Sequence, residues 1–189
     1  MANRPTTLEP FISLEASVEG KPLVRFFVSY ARVDMDAKDS FLHELQPHLQ
    51  ASGRYQLQLW QDQDILTGEQ WHKHIIQELK RAHVGLLLIS PGFLTNKYIA
   101  EYELPGFITA KGDNVLGKRL LPVQLKPIPA SADLKGLDAY QIYGRTRGQS
   151  FVEQDLHMRS VWAARVAEQL EAMLNRYAHV ATNSSPTNE

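Results

Sequence analysis

Two stretches of the chain, "LVRFFVSY" at 23–30 and "VGLLLIS" at 84–90, are apolar with almost no alternation of polar residues. A strand with one wet face repeats apolar and polar residues with a period of two, whereas a strand covered on both faces does not. Both runs therefore read as strands buried on both sides, which demands layers above and below the sheet. Three further runs, "YQLQLW" (55–60), "RLLPVQL" (119–125) and a weaker "AYQIY" (139–143), read as additional strands.

Helical periodicity fills the intervals. Phe41, Leu42, Leu45 and Leu49 mark one amphipathic helix, Trp71, Ile75 and Leu79 a second, and Trp162, Val166, Leu170, Met173 and Tyr177 a long last one. Between the third and fourth strands lies a less regular helix, with Pro105 and Gly106 predicting a break. The alternation βαβαβαβ predicts an α/β fold of the flavodoxin-like, doubly wound class. Its expected sheet has about five parallel strands in the order 2-1-3-4-5, with helices on both faces. The expected organisation is an N-terminal extension at 1–22, one domain at 23–178 and a polar tail or linker at 179–189.

The formal net charge of −1, with only small basic clusters at Lys118–Arg119 and Arg145–Arg147, argues against a nucleic-acid partner. There is no cysteine, which excludes disulfides, thiolate metal ligands and a cysteine nucleophile, and fits a reducing compartment. The N-terminal residues lack the apolar core of a secretory signal, and no run approaches the ~18 apolar residues of a membrane span. The expectation is a cytoplasmic chain with no membrane partner.

In the 2-1-3-4-5 order the crevice lies beyond the carboxyl ends of the first and third strands. That juxtaposes "SYARVDMD" (29–36) and "SPGFLTNKY" (90–98), the second leading into a helix that carries Glu101 and Glu103. On a wheel of 100° per residue, counted from Tyr98, Glu103 falls at about 140°, between Ile99 at about 100° and Phe107 at about 180°. Glu103 thus points inward and Glu101 towards solvent. A carboxylate among apolar residues must line a cavity or accept hydrogen bonds from a neighbouring loop, and spacing alone leaves both open.

Asp62 and Asp64 after the second strand could be metal ligands or ordinary turn residues. His72 and His74, two apart on a helix, face different sides and suit a shared metal poorly. There is no G-x-S-x-G nucleophile elbow and no Gly-rich phosphate loop. A phospho-receiver domain would share the topology and the acids Asp34 and Asp36, yet needs an aspartate at the end of the third strand, where Ser90 stands.

Three blocks in order, "FFVSYARVD", "LWQDQDILTGEQWHKHIIQEL" and "LLLISPGFLTNKYIAEYELPGF", resemble a TIR (Toll/interleukin-1 receptor) domain over residues 23–177. The resemblance is to the bacterial branch with W-x-D-x-D-I-x-x-G-x-x-W (here Trp60 to Trp71) and F-L-x-S-x-Y…E-L (here Phe93 to Leu104) segments. It implies cleavage of NAD+ at the nicotinamide–ribose bond, giving nicotinamide plus ADP-ribose or a cyclic isomer. NAD+ would be the substrate, with no cofactor and no metal. Glu103, in "YEL", would be the catalytic glutamate. Tyr30, Ala31, Arg32, Asp62, Leu66, Gly68, Trp71, Ser90, Pro91, Gly92, Phe93 and Tyr98 would surround the substrate. The loop from Gln61 to Gln70 would correspond to the family's BB loop, which gates the pocket and docks other TIR domains, as homo-oligomers or filaments, in bacterial defence or cell-death signalling. The alternative is a non-catalytic module that recruits other TIR domains; a nucleoside-processing enzyme of similar topology is a third reading.

The departures are specific. The family commonly has Trp four residues before the Glu, where this chain has Ile99 and the aromatic Tyr98 lies five before; this leaves the choice between Glu101 and Glu103 open. Thr67 stands before Gly68, where adaptor-type members often have Pro. Trp71 also fits as the first core residue of its helix.

Overall fold

The computed structural model describes residues 12–16, 20–61, 70–109, 113–115, 117–145 and 149–180. Strands β2 (Pro22–Ser29), β3 (Gln56–Trp60), β4 (Val84–Ile89) and β5 (Arg119–Gln124) run parallel in the order β3-β2-β4-β5. This is the expected flavodoxin-like arrangement for the first four strands.

The fifth expected strand, at 139–143, does not form. Only Tyr143 pairs, in one parallel bridge to Val123, with Tyr143 N–H donating to the Pro122 carbonyl at 2.9 Å and Gln124 N–H to the Tyr143 carbonyl at 2.8 Å. The 3₁₀ turn Leu137–Ala139 precedes it, and Gly144 at φ +79° turns the chain immediately afterwards. Too little extended chain remains between them for a ladder.

The sheet grows elsewhere. Strand β1 (Ile12–Ala16), inside the segment expected as an extension, pairs antiparallel with the start of β2 and parallel with β6 (Ala178–Val180). On β2, Leu23 and Phe26 both pair with β3, so β1 and β4 share the opposite edge, β1 at Pro22–Leu23 and β4 at Phe26–Ser29.

Strand alternation divides the core in two. Val24, Phe26, Val28 and Tyr30 of β2 and its exit, with Val84, Leu86 and Leu88 of β4, face α1 (Met35–Gln50) and α4 (Leu156–Tyr177). Phe27, Leu87 and Ile89 face the other way, onto α2 (Trp71–Arg81), α3 (Pro91–Thr95) and the helical turns that follow. All six residues of β4 are buried, as its unbroken apolar run requires. Phe41 of α1 meets Trp162 of α4 edge-on at 5.7 Å. Phe27 lies 6.1 Å from Phe107, which seats the end of the third helical region on the sheet.

That region is broken, as Pro105 predicts. α3 ends at Asn96, whose side chain accepts from the Ile99 N–H at 3.2 Å. A π-helical turn at Ile99–Glu103 follows, closed by Leu104 N–H on the Ile99 carbonyl, and a 3₁₀ turn at Leu104–Gly106 completes it. Pro105 has no N–H to give the Glu101 carbonyl, and in a regular helix its ring would press on that oxygen. The wider turn just before it relieves both demands. Among the described residues no helix is long and apolar enough to cross a membrane.

Candidate functional site

The exits of β2 and β4 meet at the carboxyl end of the sheet. Ser90 caps α3: its Oγ accepts from Phe93 N–H at 2.9 Å and donates to the buried carboxylate of Asp34. The second Asp34 oxygen receives Lys126 Nζ at 2.7 Å, from just beyond β5. One carboxylate therefore ties three strand exits together. The loops touch so closely that a Cβ on Gly92 would lie 2.9 Å from Val33 Cγ1, 3.1 Å from Asp34 Oδ2 and 3.3 Å from Ala31 Cβ.

Glu103 is 8% exposed, while Glu101 is exposed. The inward placement read from the helical wheel holds. Ser29, the last residue of β2, donates its hydroxyl to Glu103 Oε2. Strand alternation explains the pairing, since Ser29 shares a face with Phe27, which packs against the third helical region.

The π turn also accounts for the displaced aromatic. In an α-helix a residue lies above the one four before it; with i to i+5 bonding the neighbour one turn below is five before. Tyr98 thus comes under Glu103. The two are electrostatically coupled: burial, then the Glu103 charge, then Tyr102 push the Tyr98 phenol up to about 12. The Tyr98 ring packs against Trp71 at 4.5 Å and against Tyr102 at 4.9 Å, both tilted. The Arg32 guanidinium sits over Trp71 at 5.4 Å. Trp71 Nε1 is buried with no hydrogen-bond partner among the described residues.

The expected site residues divide into four groups. Glu103, Tyr98, Trp71 and Arg32 come together as a carboxylate, an aromatic wall and an exposed cation. Ala31, Ser90 and Phe93 are buried in the framework beneath it, with Gly92 wedged between the loops and Pro91 exposed at the start of α3. Tyr30 turns to the opposite face of the sheet, into the α1–α4 core, with the fully buried Lys38 amine 4.8 Å above its ring. Lys38 also donates to Gln61 Oε1 at 2.8 Å. Asp62, Leu66 and Gly68, with Asp64, lie outside the described residues.

Sequence reasoning missed Ser29, Lys126 and His72. A signal existed for Ser29, because a serine in phase with Phe27 on an otherwise apolar strand must find a partner on that face. His72 hydrogen-bonds Tyr98 Oη through Nδ1 at 2.9 Å, a contact between helices that no local spacing announces. Among the described residues no cluster of His, Cys, Asp and Glu could hold a metal ion.

Comparison with known proteins adds two findings. Over 122 residues, 64% of this chain, the sequence is 29% identical to a 2' cyclic ADP-D-ribose synthase, BtTIR, of Bacteroides thetaiotaomicron; the match spans 39% of that protein's length. A family model described as TIR domain matches residues 26–156, which contain the second half of β2, all of β3 to β5, both loops, Glu103 and Lys126. This chain belongs to the TIR domain family.

Proposed function

We propose that the chain cleaves NAD+ between nicotinamide and ribose, with Glu103 as the catalytic carboxylate and ADP-ribose or a cyclic isomer as the second product. The observation that carries this reading is the inward carboxylate at the crevice, oriented by Ser29 and flanked by Tyr98. The relative's name, a 2' cyclic ADP-D-ribose synthase, supports the same substrate class.

The chemistry suits a site with one acid. Nicotinamide departs from a cationic ring as a neutral molecule, so no proton must be delivered to it, and the barrier lies in the electron-poor ribose. A carboxylate held out of bulk water stabilises that developing cation, as in glycoside cleavage. Ser29 fixes the carboxylate's rotation, so its charge is aimed before substrate arrives. The Trp71–Tyr98 wall offers a stacking face for a flat ring, and Arg32 supplies positive charge for the pyrophosphate. Self-association with further TIR domains completes the reading, in a defence or cell-death setting.

The test is nicotinamide release, followed by chromatography, from NAD+ incubated with purified chain across a wide range of protein concentration. Nicotinamide should appear mole for mole with NAD+ lost. Assembly of the chain with no nicotinamide at any concentration would replace this reading with that of a recruiting module, and cleavage of free nucleoside instead would indicate a nucleoside-processing enzyme.

A further inference from the structure

His72 belongs to the first turn of α2 and is exposed, yet it touches two neighbouring rings, Tyr98 and Tyr102, and hydrogen-bonds only the first. Its imidazole stands edge-on to Tyr98 at 5.8 Å and 86°, and to Tyr102 at 4.9 Å and 82°. Its Nδ1 lies 2.9 Å from the Tyr98 hydroxyl. Trp71 and Tyr102 pack against the Tyr98 ring in tilted contacts, at 40° and 36°. Such packing is non-directional and leaves the ring free to shift; a directional bond at the hydroxyl removes that freedom.

The position of Tyr98 matters because the π turn places it under Glu103, whose charge already acts on its phenol. A displaced Tyr98 would alter the wall beside the carboxylate and loosen the start of the turn that carries it. We propose that His72 is a positioning residue for NAD+ cleavage, acting through its hydrogen bond to Tyr98 to hold the aromatic wall and the π turn in register with Glu103. The proposal rests on the functional reading given above and assigns His72 no contact with substrate.

Four variants test it: His72→Leu, which removes the bond; His72→Asn, which returns a polar group near the place of Nδ1; Tyr98→Phe, which removes only the hydroxyl; and the double variant His72→Leu/Tyr98→Phe. Both single apolar variants should lower kcat about tenfold, equivalent to ~1.4 kcal/mol, with KM changed less than about threefold. The double variant should be no worse than the poorer single one, as expected of two ends of one interaction. His72→Asn should recover most of the activity.

A second measurement does not need turnover. Leu104 N–H closes the π turn on the Ile99 carbonyl, so its hydrogen exchange reports the integrity of that turn. Exchange should quicken in His72→Leu and in Tyr98→Phe, and return towards wild type in His72→Asn. Losses of kcat that multiply in the double variant, or wild-type kcat in His72→Leu, would overturn the proposal. If wild type itself releases no nicotinamide, the functional reading falls and exchange alone decides: unchanged Leu104 exchange in both variants rejects the positioning role, and faster exchange in both upholds it for the turn.

Discussion

Replacing Glu103 by Gln removes a charge while keeping nearly the same volume, and the new amide oxygen can still accept the Ser29 hydroxyl. The structure sets the scale of the loss. At 8% exposure the carboxylate is neither in bulk water nor fully dry. With an effective dielectric of about 20, a unit charge about 4 Å from a developing cation is worth ~4 kcal/mol, an upper figure because substrate binding also desolvates both groups. Loss of a single preorganised electrostatic partner typically costs ~3–4 kcal/mol, so NAD+ cleavage should fall by about 10²- to 10³-fold, mainly in kcat.

Stability should move the other way or not at all. A charge held among apolar residues for function is a liability, and its removal should leave the melting temperature unchanged or raise it by a few degrees, equivalent to ~1 kcal/mol for a chain of this size. The Tyr98 phenol should also titrate lower, because the Glu103 charge contributes, after burial, to its raised value. Glu101, exposed on the same turn, is the control, and Glu101→Gln should stay within a few-fold of wild type. The assay is chromatographic nicotinamide release together with thermal melting. An inactive Glu101→Gln beside an active Glu103→Gln would refute the assignment, and full activity in both would refute the site.

Gly92→Ala should destabilise by about 1–2 kcal/mol through overpacking, read by thermal melting, because the exposed Val33 can swing aside but the buried Asp34 carboxylate cannot. Tyr98 makes stability fall at alkaline pH: its folded value of about 12 exceeds the ordinary tyrosine value of 10.0, so the unfolded chain gives up this proton first as pH rises from about 10 to about 12. Tyr98→Phe should lessen that decline in melts taken across the interval, and an unchanged decline would discount the raised Tyr98 value. Activity should rise more than linearly with protein concentration if neighbouring chains complete the pocket, and constant specific activity over a hundredfold dilution, with only monomer by sizing, would reject assembly as part of catalysis.

The layered fold was legible because burial on both faces leaves an unmistakable mark: 23–30 and 84–90 have no polar alternation, and each observed core cluster takes alternate residues of those two strands. The weak run at 139–143 has the same composition as a strand, but the 3₁₀ turn before it and Gly144 after it decide the outcome. Strands β1 and β6 were hidden for a different reason. They pair with each other across almost the whole length of the chain, and pairing at such a distance is set by tertiary packing rather than by local pattern. Tyr30 shows the same limit at one residue. Motif position put it beside the substrate, whereas strand alternation carries it to the α1–α4 face, where Lys38 covers it.

The spacing of Tyr98 and Glu103 connects the sequence to the site most closely. Counted at 100° per residue the two lie about 140° apart, which would leave the aromatic off the carboxylate's face. Pro105 changes the count. By denying the Glu101 carbonyl its donor, it favours the π turn at Ile99–Glu103, and one extra residue in that turn brings Tyr98 round beneath Glu103. A tyrosine five residues before the acid thus does what an aromatic four before it would do in a regular helix. The inward direction of Glu103 survives because Ile99, Leu104 and Phe107 on either side remain buried against the sheet. Spacing in this segment therefore has to be read together with the proline two residues after the acid, which sets the register in which Tyr98 and Glu103 meet.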